Sequence, residues 1–447
     1  MKKVLIANRG EIAKRIIRTC HDMGMETVAI YSDADSDLPF VKEATYAFRI
    51  GEAPVNKSYL LTDAILEIAV NEGVDGIHPG YGFLSENAAF ARAVIEKGLI
   101  FIGPDPDTIE LMGDKIISRR TMIEAGVPVV PGSEEGTSTI EEAIRLAESM
   151  GYPVMLKASG GGGGIGMVRC ENEQALAKSF GSTKARAKAY FGSEEVFVEK
   201  YIQNARHVEV QVFGDHHGNI VHLFERDCSI QRRHQKVVEE SPSPFLSEHT
   251  KQKMYETALK AAAAVKYKNA GTIEFIVDEQ ENFYFLEMNT RLQVEHPVTE
   301  QITGLDLVKW QILVASGDKL PQSQSDIQQS GHAIEFRLYA EDPKNFLPSP
   351  GKIESFQWKD FPGVRVDSGY ESQSTVTPFY DPMIAKCIIY GASRGEAIDR
   401  ADQFFTDLII EGIKTNAPLF RGIIKDPDFR KGNYSTSFLT EKTFIKQ

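Results

Sequence analysis

Apolar positions in the first hundred residues alternate between two spacings. Residues 4–7 form a short continuous apolar run, which reads as a buried strand. Over residues 11–23 the apolar positions Ile12, Ile16, Ile17 and Cys20 fall at helical spacing. Residues 27–31 predict a second strand, and residues 76–78 and 99–102 predict two more. Helices are expected over 60–72 and 87–97. Strands alternating with helices imply a parallel sheet. The turn after the first strand is Asn8-Arg9-Gly10-Glu11 and lacks the glycines of GxGxxG. The sheet is therefore expected to be Rossmann-like, while nicotinamide chemistry is disfavoured. Residues 78–87, His-Pro-Gly-Tyr-Gly-Phe-Leu-Ser-Glu-Asn, are rich in turn formers and follow a strand, where open α/β sheets bind ligands. On pattern alone, this segment reads equally well as a plain turn.

The middle of the chain changes character. A helical stretch opens at Gly113-Asp114-Lys115 and closes near Gly126-Val127-Pro128. Residues 153–157 and 167–169 predict two strands, joined through Ser159, glycines over 160–164, Ile165 and Gly166. The Walker loop needs GxxxxGK[ST] leading into a helix, which this is not. Backbone amides of such a loop can still wrap phosphate oxygens, with Lys157 beside them as a cation. A helix over 172–190 and a strand over 196–200 complete a small unit. Glu199-Lys200-Tyr201-Ile202 leads out of it, a connection suited to holding an adenine. Residues 207–213 alternate Val208, Val210 and Val212 with His207, Glu209 and Gln211, which predicts a half-buried strand. Residues 231–236 form a basic cluster, read as a polyanion pocket rather than a solvated surface. A helix follows over 247–266, and residues 322–330 are a polar candidate boundary. Residues 332–340 predict a strand in which Arg337 is costly unless paired. A structural ion pair with Glu335 or another acid and a functional role weigh equally there. A last amphipathic helix is expected over 394–408.

Residues 271–300 carry the densest chemistry. Residues 272–278 and 283–289 read as a hairpin around a polar turn, Glu279-Gln280-Glu281-Asn282. Strict alternation places Ile273, Phe275, Val277, Tyr284, Leu286 and Met288 on one core face, and Glu274, Glu287 and Asn289 on the other. A symmetric turn sets Glu274 opposite Glu287, which is unfavourable without protonation or a cation. Two carboxylates and an amide oxygen on one face suit Mg²⁺. The polar run Arg291, Gln293, Glu295 and His296 follows at once.

Length and composition bound the reading. The 447 residues imply two or three domains. A composition 42% hydrophobic and 25% charged is that of a soluble globular protein, and net charge −13 argues against nucleic acid as main partner. Cys20, Cys170, Cys228 and Cys387 form no CxxC pair, which suggests reduced thiols and a cytoplasmic setting. No signal peptide or membrane-spanning run is expected.

Five stretches together carry a family resemblance: IANRGEIAxR at 6–15, HPGYGFLSEN at 78–87, the glycine run, ERDCSIQRRHQK at 225–236 and EMNTRLQVEHPVTE at 287–300. In order and spacing they resemble biotin carboxylase, of the ATP-grasp superfamily, over essentially the whole chain. The resemblance implies a mixed α/β and α+β fold. It comprises a Rossmann-like N-terminal domain over 1–113, an ATP-grasp domain over 114–330 with a mobile lid near 131–203, and a C-terminal mixed domain over 331–447. It implies ATP-binding positions at Lys115, Lys157, Gly163, Gly164, Glu199, Lys200, Tyr201, Ile202, His207, Gln231, His234, Glu274, Ile276 and Glu287. Mg²⁺ or Mn²⁺ would lie on Glu274, Glu287 and Asn289. Bicarbonate would lie on Lys236, Arg291, Gln293, Val294 and Glu295, and biotin on Tyr81 and Arg337. Lys236, Arg291, Glu295 and Arg337 are the implied catalytic positions. The family commonly has a basic residue where this chain has Ile165. No Met-Lys-Met occurs, so biotin is expected on a separate carrier protein, with separate carboxyltransferase subunits and a homodimeric carboxylase. Acetyl-CoA is the acyl acceptor expected first, and methylcrotonoyl-CoA is another. The rival reading is a different ATP-grasp carboxylate–amine ligase.

Overall fold

The computed structural model describes residues 1–133, 136–158, 167–191 and 194–444. The first unit is a five-stranded parallel sheet. Its strands run in the order Tyr46–Gly51, Glu26–Ser32, Lys3–Ile6, Gly76–His78, Ile100–Phe101. Val4, Leu5 and Ile6 are fully buried, and the helix Gly10–Asp22 buries Ile12, Ile16, Ile17 and Cys20, the residues its spacing marks. The edge strand Tyr46–Gly51 has no counterpart among the expected strands, because its half-exposed sequence shows neither alternation nor an apolar run. The expected strand over 99–102 shrinks to two residues.

The Asn8-Arg9-Gly10-Glu11 turn serves packing between elements. Asn8 Nδ2 donates to the carbonyls of Pro79 and Tyr81 at 2.7 and 2.8 Å. The Arg9 guanidinium grips Asp35 at 2.6 and 2.7 Å. Asn8 crowds Gly80, where a Cβ would lie 2.9 Å from its amide nitrogen and φ is +64°. Only glycine fits there.

The segment expected as a lid has its own small core. Strands Met167–Cys170, Val154–Ala158 and Val196–Lys200 form an antiparallel sheet, covered by helices Ile140–Met150 and Glu173–Phe191. Ala143, Ala147, Val154, Leu156, Leu176 and Val198 are all fully buried there. The glycine run, with Gly163, Gly164 and Ile165, lies outside the described residues.

One eight-stranded sheet forms the body. Its order is Phe283–Asn289, Asn269–Val277, Arg206–Gly214, Ile220–Arg232, Gln235–Ser241, His332–Tyr339, Met383–Gly391, Val364–Ser368. The sheet runs on across the expected 330/331 boundary, since His332–Tyr339 pairs antiparallel with Gln235–Ser241. One apolar core joins Ile12, Phe213, Leu338 and Phe420 across all three segments. The basic cluster turns out to be a hairpin tip. Arg233 and His234 both have positive φ, the two-residue geometry that matches strand twist. The strand Arg206–Gly214 is buried along its whole length, not half-buried, because its polar face packs into a charged interior.

The 272–289 hairpin departs from strict alternation. Glu274 does face Glu287 as expected, and Ile273 faces Met288. Beyond them the register slips by one, so Phe275 pairs with Phe285 and Val277 with Phe283. Leu286 is the extra residue of a bulge. Phe285 is therefore 4% exposed in the core, while Leu286, expected inside, is 38% exposed on the cleft wall. Tyr284 is only half-buried for the same reason.

Candidate active site

A cleft of about 640 Å³ opens between the lid strands, the polar face of the large sheet and the N-terminal unit. Its walls carry Lys115, Lys157, Glu199, His207, Gln231, His234, Lys236, Glu274, Glu287, Asn289, Arg291, Gln293, Val294 and Arg337. Residues more than two hundred positions apart thus meet in one space. The wall does not include Lys200, Tyr201, Ile202, Ile276, Glu295 or Tyr81. Lys200 is turned aside, its ammonium donating to the Gly151 carbonyl at 2.8 Å, and Arg169 stacks on Tyr201 at 4.3 Å. The Tyr81 hydroxyl is buried with no hydrogen-bond partner.

The floor of the cleft is a buried ionic lattice. Lys236 Nζ donates to Glu209 at 2.5 Å and to both Glu274 and Glu295 at 2.7 Å. Arg337 reaches the other Glu295 oxygen at 2.8 Å and Glu239 at 2.6 Å. Arg226, fully buried, donates to Glu209, Gln211, Thr299 and Thr272 at 2.6, 2.7, 3.0 and 3.1 Å. Of the acids open to Arg337 in the sequence, Glu335 is not the partner, and Glu239 and Glu295 are. Glu335 faces Glu239 across the strands, and neither of its oxygens has a hydrogen-bond partner.

These contacts set the charges. Burial alone would raise the Glu274 carboxyl, but Lys236 and His207 outweigh it and hold it below the ordinary range. Burial likewise opposes the Glu295 charge, and Lys236 with Arg337 overcomes it by a wide margin. Glu209 moves the other way. Burial raises it, with Glu295 and Glu274 adding repulsion that Lys236 only partly offsets. Glu239 is pushed up to about 7, chiefly by burial. Burial also disfavours a charged His207, yet Glu274, 3.0 Å away, leaves its pKa raised.

The donor set fits a divalent cation, with one rearrangement. Glu287 is raised by desolvation in the cleft and then by the facing Glu274, the signature of two acids that want a cation between them. The hairpin pattern by itself asks for protonation or a cation. Here Lys236 already contacts Glu274, so the chain supplies part of that positive charge. Asn289 presents Nδ2 to Glu274 at 2.9 Å and its oxygen to Arg291 at 3.0 Å, so its amide must turn to offer oxygen to a metal. At the phosphate end, Lys157 and Arg119 both point to Glu199.

Past the hairpin, Arg291 is held by three groups. Nε donates to Glu86 at 2.8 Å, Nη1 to Gln293 Oε1 at 3.1 Å and Nη2 to Asn289. Glu86 also accepts the Thr290 amide at 3.0 Å. Glu86, Glu209, Arg226 and Glu239 belong to this network, and the sequence pattern does not mark them as site residues. For Glu209 no local signal exists, because its alternation with Val208 and Val210 reads as a half-buried strand.

Comparison with known proteins covers essentially the whole chain. Profiles of the biotin carboxylase N-terminal domain, of the carbamoyl-phosphate synthase L chain ATP-binding domain and of the biotin carboxylase C-terminal domain match residues 1–109, 114–323 and 335–441. The chain is 56% identical to biotin carboxylase of Halalkalibacterium halodurans, over 100% of this chain and 98% of that one. It is 51% identical to the mitochondrial propionyl-CoA carboxylase alpha chain of Mus musculus, over 98% of this chain and 61% of that one. The crystal structure of the Hydrogenobacter thermophilus 2-oxoglutarate carboxylase biotin carboxylase domain dimer, with MgADP, ADP and bicarbonate, superposes with a TM-score of 0.94. It is 49% identical and covers 98% of this chain and 97% of that one. The flanking matches exclude the rival ligase reading left open by the central domain. The chain belongs to the biotin carboxylase family of ATP-grasp ligases.

Proposed function

We propose that the chain uses ATP and bicarbonate to carboxylate biotin held on a separate carrier protein. The observation that carries this reading is the continuity of the cleft. Nucleotide-type groups at one end (Lys115, Lys157, His207, Gln231, His234, Glu274, Glu287) share one space with anion-type groups at the other (Lys236, Arg291, Gln293, Val294, Arg337).

Bicarbonate is a poor electrophile, and phosphorylation to carboxyphosphate activates it. A divalent cation on Glu274, Glu287 and Asn289 would neutralise charge that builds on the transferring phosphoryl group. Lys115 and Lys157 add fixed positive charge along the phosphates, and Lys157 must first leave Glu199. Arg291 offers planar paired donors to bicarbonate, and Glu86, Gln293 and Asn289 fix that plane. Glu295 is a weak base while Lys236 and Arg337 clasp it. An arriving anion would replace the carboxylate as partner of those cations, and the released Glu295 would gain basicity where the proton must go. Arg337 would then stabilise the oxygen of deprotonated biotin, with Tyr81 beside the ring.

The reading includes the partners that such chemistry needs: a biotin carrier, a carboxyltransferase and a second copy of this chain, in the cytoplasm. Among the described residues no helix is long and apolar enough to cross a membrane. Acetyl-CoA is the acceptor that the resemblance favours, although the relatives include propionyl-CoA and 2-oxoglutarate carboxylases. Acceptor choice belongs to the carboxyltransferase. The test is ADP release with free biotin and bicarbonate varied independently. Release that needs both is expected; release that needs neither biotin nor bicarbonate overturns the reading.

A further inference from the structure

Among the described residues, Lys386 is a fully buried cation that the mechanism above does not use. Lys386 lies on the strand Met383–Gly391, directly opposite Arg337, and is 0% exposed. Its Nζ donates to the Val294 carbonyl at 2.9 Å and lies 3.1 Å from Glu11 Oε2. Glu11 stands in the first turn of the N-terminal helix, and Val294 lies between the metal hairpin and the helix His296–Thr303. One ammonium therefore ties three distant segments behind the anion end of the cleft.

Stability alone is a poor reason for this arrangement. Apolar groups of similar volume commonly replace a buried ion pair without loss. What the ammonium holds is a peptide carbonyl at the cleft wall. A carbonyl aimed into an anion pocket repels the anion. Held back against Lys386, the Val294 carbonyl points out of the pocket, and in a planar trans peptide the Glu295 N–H then points away from Lys386. The turn 293–295 is left to present donors.

We propose that Lys386, neutralised by Glu11, is a positioning residue that keeps the Val294 carbonyl out of the bicarbonate pocket. This rests on the bicarbonate reading of Arg291, Gln293 and Val294. Lys386→Met alone leaves Glu11 as a lone buried carboxylate, so the test uses Lys386→Met with Glu11→Gln in the full chain. Losing one charge-assisted contact to the pocket predicts a bicarbonate KM raised about tenfold or more. The ATP KM should stay within about twofold and the melting temperature near that of the native chain. A double variant with native bicarbonate KM makes Lys386 merely structural and overturns the proposal. If the double variant does not fold, Lys386→Gln with Glu11→Gln, in which the shorter amide cannot reach the carbonyl, replaces it with the same expected split between the two KM values. Native bicarbonate KM in that variant overturns the proposal equally. Lys386→Arg, which keeps charge and donor, should recover most of the native bicarbonate KM. Arg291→Ala separates the two readings. If it leaves bicarbonate KM unchanged, the pocket assignment itself fails, whereas a raised KM there beside native values for the Lys386 variants removes only the positioning role.

Discussion

Glu295→Gln tests the ionic lattice and the chemistry together. The substitution removes one negative charge at the point where Lys236 and Arg337 meet, 2.7 and 2.8 Å away. Breaking a buried pair from one side costs about 3–5 kcal/mol when the remaining charge is stranded. Neither cation is stranded here. Lys236 retains Glu209 and Glu274, and Arg337 retains Glu239. The expected loss is therefore nearer about 2 kcal/mol, the scale of one charge-assisted hydrogen bond. The variant should fold. Turnover should fall about 10²–10⁴-fold, the range for losing a general base. The assay is biotin-dependent ADP release, with thermal melts recorded from pH 7 downward. Because the native Glu295 carboxyl sits well below its ordinary value near 4.5, its contribution is complete above that pH and is lost as pH falls through the depressed value. The stability gap between native and variant chains should therefore be constant above about pH 5 and shrink on further acidification. Turnover within about threefold of native removes the base role, and a gap that widens on acidification refutes the lattice argument.

Arg337→Met strands Glu239 and leaves Glu295 with Lys236 alone. It should lower stability by about 3–5 kcal/mol and biotin-dependent turnover by about 10²–10³-fold, and a chain as heat-resistant as the native one contradicts the pairing. Glu287→Lys puts an ammonium where a metal-bridged phosphate is expected; calorimetric titration should show Mg-ATP affinity reduced at least about 100-fold, and unaltered affinity speaks against the site. The bulge at Leu286 has its own signature. Phe285→Ala should cost about 3–5 kcal/mol in chemical denaturation and Leu286→Ala under about 1 kcal/mol, and the reverse order would restore the uninterrupted hairpin.

Much of this site is legible in the sequence because metal, anion and nucleotide positions are dense in polar residues where apolar ones would pack. The Glu274–Glu287 pairing comes out correctly although its derivation does not. The symmetric turn and the bulge differ by one residue, and they agree only at the three pairs nearest the open end. Local alternation cannot reveal a bulge, since nothing in Phe-Leu-Glu-Met distinguishes a residue turned inward from one turned out. Glu209, Arg226 and Glu239 escape notice for a related reason: a charged residue in an alternating strand reads as solvent-facing. Only the tertiary closure of the sheet makes that face an interior. Arg337 stands out in the sequence as needing an acid, but the choice of Glu239 and Glu295 over Glu335 depends on strand order, which no local pattern encodes. The residues between 158 and 167 remain a reading of composition.

The shared sheet also constrains how such enzymes can be recombined. Glu274 and Arg337 stand four strands apart, about 19 Å on a flat sheet, yet a chain of three contacts through Lys236 and Glu295 connects them. Irregular pairing near Glu225, Asp227, Ile230 and Glu274 adds local bend and twist to the strands between them. A chimera spliced at residue 330 would exchange half of that curve for a stranger's. Its two halves could each be well folded while the arginine and the phosphate end no longer converge. A splice in the exposed loop before the helix Arg394–Asp407 would leave the sheet whole, and its cost would fall instead on the shared core, where Phe404, Phe420 and Ile423 would be exchanged.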